Sequence, residues 1–199
     1  YGMNAARQSW ARMLIETGAF EEAEELLQAS VASTRENNIM ILYCLACGYL
    51  GFLYLETGRY DRAVENLERS VECYLKNHFL PDPLLQIFPH LADAYVKKLR
   101  DNLQKAGIRP TAKEIRKARL LCGNALKKTK RWISHYSTAL KATAGLYALT
   151  GKTAKAERLY KKGIEYSGRL GRKYEAAKGR LEYGSVLDAA GRHQEALEN

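Results

Sequence analysis

Four stretches of the sequence bring together residue types that could do chemistry. Cys44-Leu45-Ala46-Cys47 is a C-x-x-C pair, the spacing of redox dithiols and of half a zinc site. Zinc needs two further ligands, and neither a second C-x-x-C nor a closely spaced His pair exists. Two small residues buried at helix contacts is the expectation. Gly145 to Thr153, GLYALTGKT, imitates a phosphate-binding loop, but it has five residues between its glycines where the motif needs four. A helix is expected before it where the motif needs a strand. His78, His90, His135 and His193 are dispersed, none with a Ser or Cys partner at triad-like spacing. No catalytic residue, metal ligand or cofactor site is therefore expected.

The fourth stretch is one of charge. The 199 residues carry a net +10, placed unevenly. Residues 1–96 hold 7 Lys+Arg against 13 Asp+Glu, a net −6, and residues 97–199 hold 25 against 9, a net +16. Within 97–131, 13 Lys+Arg face only Asp101 and Glu114. The basic patch includes Lys105, Arg109, Lys113, Arg116, Lys117, Lys127, Lys128 and Arg131, a field that draws acidic partners at low salt. Nucleic-acid binding usually adds aromatics or a groove-reading element to its cations. Only Trp132 and Tyr136 lie close by, so a solvated or acidic-partner-binding face is expected, with a nucleic-acid adaptor as an alternative.

Helices must position these residues. Gly18 and Gly58 are separated by the same interval as Gly151 and Gly191, about 40 residues, within the range of helical-repeat periods. Each of these glycines is followed five residues later by alanine: Ala23, Ala63, Ala156 and Ala196. Glycine after a first helix tolerates the left-handed cap, and a small alanine lets a second helix approach the first. Helical hairpins are therefore expected, with helices near Asn4 to Thr17, Phe20 to Arg35, Ile39 to Glu56, Asp61 to Lys76, Trp132 to Thr150, Thr153 to Arg169 and Tyr174 to Ala190. Glu21, Glu22, Glu24 and Glu25 suit the positive end of the second helix. Asn37 or Asn38 is expected to cap the third. The 17 uncharged residues from Ile39 to Leu55 fall short of the roughly 20 that span a bilayer, so a buried helix is expected. Asp82 is the expected cap and Pro83 the first turn of the fifth helix, with Pro89 kinking it or resetting its start. That helix runs on to a cap at Gly107, and Thr111 with Glu114 makes a capping box for the next. The third hairpin is thus expected to be over-long by about 14 residues, counted from Tyr95 to Ala118 against Tyr54 to Ala63. It should pack through Ala118, Cys122 and Ala125.

Leu50, Gly51 and Tyr54 before the turn, and Ala63, Leu67 and Ser70 after it, carry a resemblance to the tetratricopeptide repeat. Trp10, Ala11 and Leu14, then Leu91, Ala92 and Tyr95, then Ala144, Tyr147, Ala156 and Tyr160 occupy equivalent spacings. The resemblance implies an all-α, right-handed superhelical solenoid of about five hairpins in one domain over 1–199, with repeats near 4–36, 38–77, 83–131, 132–170 and a truncated 172–199. Residues 132–176 also resemble, over a shorter stretch, the helical-repeat regions of bacterial signal-transduction ATPases with numerous domains and of cyclases and kinases built like them.

By the repeat resemblance, first helices line a concave groove that offers Arg12, Glu16, Tyr49, Phe52, Glu56, His90, Asp93, Lys97 and Lys141 to a partner. The function this implies is non-enzymatic: a protein-interaction or sensor module binding a protein or peptide, suited to an acidic one, within a larger bacterial signalling protein. A small-molecule-sensing regulatory domain is an alternative. The Tyr at position 1 and a chain that stops within a helical stretch fit a piece of a longer protein. Four cysteines in a helical chain fit a reducing, cytoplasmic setting without a disulfide framework.

Overall fold

The computed structural model describes residues 2–79 and 84–198; the cap and first turn expected at Asp82 and Pro83 lie outside them. Among the described residues the chain is all helical: α1 (Gly2–Thr17), α2 (Phe20–Glu36), α3 (Met40–Glu56), α4 (Tyr60–Asn77), a 3-10 turn (Leu84–Gln86), α5 (Ile87–Ala106), α6 (Ala112–Thr129), α7 (Ile133–Leu149), α8 (Thr153–Arg169), α9 (Lys173–Ala189) and a short α10 (His193–Leu197). Successive helices pack pairwise, α1 on α2, α2 on α3, α3 on α4, and likewise from α6 through α10. The chain divides into two compact units, Tyr1–Lys98 and Leu99–Asn199, with the division falling inside α5.

Left-handed residues set the turns. Gly18, Gly58, Gly151 and Gly191 have φ between +72° and +86°. Around Gly58 the cap is complete: the Arg59 N–H donates to Tyr54 O at 2.8 Å and the Gly58 N–H to Leu55 O at 3.4 Å, the paired bonds of a Schellman cap. A second set of left-handed residues follows Gly18, Gly58 and Gly151 by twenty positions: Asn38 (φ 55°), His78 (φ 50°) and Gly171 (φ 67°). Asn38 therefore ends α2 and does not cap α3. The Asn37 amide donates back to Ser33 O, and Ile39 precedes α3 without a side-chain cap.

In the first unit the core forms where α3 meets α4. Ala63, Leu67 and Leu53 are fully buried, and Leu50 and Tyr54 nearly so. Glycine at 51 is required by proximity, because a Cβ there would lie 2.5 Å from Leu67 Cγ and 3.1 Å from Leu67 N. Several buried polar groups are paired across helices. Gln8 Nε2 donates to Ser30 Oγ and Leu42 O, and Ser70 Oγ donates to Cys44 O at 2.7 Å. Such pairing removes the desolvation penalty of buried polar atoms. α5 begins at Ile87 and absorbs the fully buried Pro89 in its first turn, where the missing N–H costs nothing.

In the second unit Ala144, Tyr160, Tyr183 and Leu187 form a core cluster, with the Tyr160 and Tyr183 rings stacked at 5.8 Å. The expected Thr111–Glu114 capping box is present in full. α5 runs eleven residues past Tyr95, whereas α3 ends two residues after Tyr54, and the α5–α6 connection takes five residues where the turn at Gly58 takes three. The helices themselves account for most of the extra length.

Candidate functional site

Within the first unit, helical spacing puts the expected groove residues in register. Arg12 and Glu16 lie at i and i+4 on α1, Tyr49, Phe52 and Glu56 at i, i+3 and i+7 on α3, and His90, Asp93 and Lys97 at the same offsets on α5. Each set occupies one face of its helix. Glu56 follows Glu16 at the glycine period, and Lys97 follows Glu56 at that period to within one residue, so the three helices present equivalent positions side by side.

Contacts between these helices run along one diagonal. Arg12 on α1 is bonded to Glu16 at 3.4 Å and is electrostatically coupled to the Tyr49 hydroxyl on α3. Partial burial pulls the Arg12 guanidinium down, and Tyr49 and Glu16 outweigh it, holding the group above its ordinary value. One helix on, Phe52 meets His90 with ring centroids 4.7 Å apart and planes tilted by 45°. Tyr49, Phe52 and His90 are half-buried.

The remaining expected residues are placed differently. Asp93 is buried and bonded to Lys97 at 2.9 Å, their side chains 12% and 13% exposed, so this pair is a largely closed internal bridge. Lys141 departs further from the expectation. It is 5% exposed, and its Nζ donates to Glu175 Oε2 at 2.8 Å and Glu175 O at 3.0 Å. Its stem runs between two glycines: a Cβ on Gly163 would come 3.0 Å from Lys141 Cγ, and one on Gly179 3.0 Å from Lys141 Cδ. Lys141 ties α7 to α9 and is not offered to a partner. The sequence shows the lysine but not the channel that two distant glycines make for it.

The basic residues Lys105, Arg109, Lys113, Arg116, Lys117, Lys127, Lys128 and Arg131 are all exposed. Lys105 pairs with Asp101 at 2.9 Å. Opposite them α6 buries Ala118, Cys122, Ala125 and Thr129, as the packing reading expected.

The other stretches of chemical interest are placed as helix contacts. Cys44 and Cys47 are fully buried on α3, where burial pushes the Cys44 thiol up to about 12 and the Cys47 thiol up to about 11, far from a reactive thiolate. Gly145 is inside α7 and Gly151 is a helix cap, and the N–H of Lys152 is spent on Tyr147 O at 2.8 Å. No phosphate cradle forms there. Among the described residues no group of three or more His, Cys, Asp or Glu is placed to hold a metal ion, and no helix is long and apolar enough to cross a membrane.

One feature escaped sequence reasoning. A cleft of about 520 Å³ lies over Leu50 and Tyr54, with Arg35 of α2 and Arg62 and Arg69 of α4 on its walls. Arg69 is bonded to Glu65 at 2.6 Å and Arg62 lies 3.9 Å from Glu24, so much of this charge is met locally. Arg62 and Arg69 stand seven residues apart on α4, the one signal that could have placed them together.

Hairpins whose glycine-capped turns and small-residue contacts recur at a fixed period define the class: an all-α helical-repeat protein. A family model described as "Tetratricopeptide repeat" matches residues 45–77, the stretch holding most of α3 and all of α4. No curated protein matches significantly. Among solved structures, BtubC (BKLC) from P. vanneervenii is similar at 20% identity, with a TM-score of 0.62 over 94% of this chain and 73% of that one. Two crystal structures of a Podosopora anserina putative kinesin light chain with nearly identical TPR-like repeats are similar at 21% identity. Their TM-scores are 0.62 and 0.59, over 98% of this chain and 89% and 90% of theirs. Residues 45–77 thus match a tetratricopeptide repeat, and the chain as a whole shares the fold of TPR-like repeat structures.

Proposed function

We propose that this chain is a non-enzymatic recognition module whose α1–α3–α5 face binds an extended peptide or a partner helix. One observation carries the reading. The Phe52–His90 ring contact, and the coupling of Arg12 to Tyr49 at the equivalent positions one repeat earlier, follow the same diagonal on successive first helices and leave half-buried rings near charged groups. Rings supply contact area at low entropy cost, and flanking charges fix the register of a ligand. Arg12 and Glu16 keep 42% and 63% of their side chains exposed at one end of this row. Asp93 and Lys97 serve as its rigid floor. Tetratricopeptide repeats as a class are protein-interaction modules, which supports a macromolecular ligand over a metabolite.

The likeness of residues 132–176 to helical-repeat regions of bacterial signalling proteins supports a regulatory role. A ligand that favours one arrangement of the stacked hairpins would bias a neighbouring domain by its differential affinity for the two states. A peptide selected by display against the chain tests the reading by titration calorimetry. Phe52→Ala with Tyr49→Ala is expected to weaken binding at least tenfold with unchanged helicity. Undiminished affinity would remove the α1–α3–α5 face from consideration.

A further inference from the structure

The exposed face of α6 has an order that its composition alone does not convey. At 100° per residue, Lys113, Arg116, Lys117, Lys127 and Lys128 fall within about 120° of the helix circumference, and Arg131 follows in the turn. All six are exposed. Opposite them lie the buried Ala118, Cys122, Ala125 and Thr129. The cations form two clusters, Lys113–Arg116–Lys117 and Lys127–Lys128–Arg131, separated by a neutral middle of Leu120 and Asn124 on the same side. Leu120 is 63% exposed. The inner edges, Lys117 and Lys127, are ten residues apart, about 15 Å along the axis.

Four kinds of partner could meet such a face, and the residues discriminate among them. A bilayer surface requires an amphipathic helix to lay down its apolar side, but the apolar side of α6 is buried in the fold. Protein interfaces deplete lysine and concentrate energy in desolvated aromatic anchors, whereas this face is four lysines and two arginines around one leucine. Single-stranded nucleic acid is held by stacking on aromatics, and none lies on this face. Duplex DNA requires neither rings nor an apolar anchor, because its phosphates carry the affinity. Its major groove is about 12 Å wide, so a helix laid across it sets one basic cluster on each phosphate rim with Leu120 and Asn124 over the groove.

We propose that the outer face of α6 is a duplex-DNA binding surface that bridges the major groove through two phosphate-contacting clusters without reading sequence. This function is separate from peptide recognition and uses none of the residues of the α1–α3–α5 face.

The test is fluorescence anisotropy with a labelled 20-base-pair mixed-sequence DNA duplex, titrated with the full chain at 50 and 200 mM KCl. Six phosphate contacts give a loss of about 1,000-fold in affinity between these salt concentrations. The variant Lys113→Gln, Lys117→Gln, Lys127→Gln, Lys128→Gln leaves two cations, and the salt dependence falls to about tenfold. A charge-matched variant, Lys152→Gln, Lys155→Gln, Lys162→Gln, Lys173→Gln, removes four exposed lysines elsewhere in the second unit and is expected to bind as the parent does. Circular dichroism verifies that both variants are folded. A duplex RNA of the same sequence, whose major groove is deep and narrow, is expected to bind at least tenfold more weakly. Absence of DNA binding at 50 mM KCl overturns the proposal, as does equal loss in the two variants. Equal affinity for the RNA duplex overturns the groove-bridging geometry, and tighter binding to polyglutamate than to DNA would make the face a site for acidic protein.

Discussion

Replacing Gly51 by alanine tests the packing that underlies the fold. A Cβ at this position would stand 2.5 Å from Leu67 Cγ, 3.1 Å from Leu67 Cδ2 and 3.1 Å from Leu67 N. Leu67 is fully buried, so its side chain has no open space to enter, and the backbone contact requires α3 and α4 to move apart. Overpacking of this kind costs about 1–3 kcal/mol, and a contact that includes backbone belongs near the upper end. Alanine returns about 1 kcal/mol through its helix propensity. The net expectation is a destabilisation of about 2 kcal/mol, from about 3 less about 1. Gly123 supplies the control: it lies inside α6 with nothing within 4 Å of its virtual Cβ, so Gly123→Ala is expected to stabilise by about 1 kcal/mol. Urea titrations followed by circular dichroism at 222 nm measure both. A double variant, Gly51→Ala with Leu67→Ala, should lose less than the sum of the two single changes, because truncating the leucine relieves the clash. A neutral or stabilising Gly51→Ala, or strict additivity in the double variant, would refute the close approach of α3 and α4.

Lys141→Ala is expected to destabilise the second unit by about 2–4 kcal/mol, since it strands Glu175 and empties the channel between Gly163 and Gly179; breaking a fully buried pair costs more, but the Glu175 side chain is 20% exposed. Lys141→Met, which keeps the stem, should cost less in the same urea titration. Glu157 is held well below the usual carboxylate value, at about 2, first by hydrogen bonding from Arg192 and then from Lys161. Its stabilising effect is therefore present above about pH 4.5 and is lost as the pH falls toward 2, so melting curves of Glu157→Gln between these limits should show a shallower pH dependence than the parent. All four cysteines are free and buried. Ellman's reagent at pH 8 is expected to label none rapidly in the native chain and all four in 6 M guanidinium, a rapid native reaction at Cys44 or Cys47 being the contrary result.

Much of this architecture is legible in the sequence because its cause is local. Gly18, Gly58, Gly151 and Gly191 announce left-handed caps, and the alanine five residues after each announces the close contact that follows, so the hairpins can be placed within a residue or two. The intervening turns are harder to read. Asn38 and His78 take left-handed conformations without glycine, Asn38 within a set of cap hydrogen bonds to Arg35 O and Thr34 O, and asparagine at 38 suggests a helix start where a helix end is found. Side-chain roles are less legible still. Lys141 occupies the position of a groove residue in the repeat, and its burial depends on Gly163 and Gly179, which lie on the next two helices, α8 and α9. Asp93 and Lys97 carry the same expectation, but four-residue spacing on a half-covered helix closes them into a bridge. The basic patch is visible as composition, whereas its division into two clusters on one face follows only once α6 is known to run unbroken from Ala112 to Thr129.

The most direct measurement of the recognition account is a photo-crosslinking map. A benzoylphenylalanine placed singly at position 16, 52, 75 or 120 is irradiated in the presence of the display-selected peptide. Positions 16 and 52, on the α1–α3–α5 face, are expected to give crosslinked product, while 75 and 120, exposed on α4 and α6, give none. Crosslinking confined to position 75 or 120 would contradict the account.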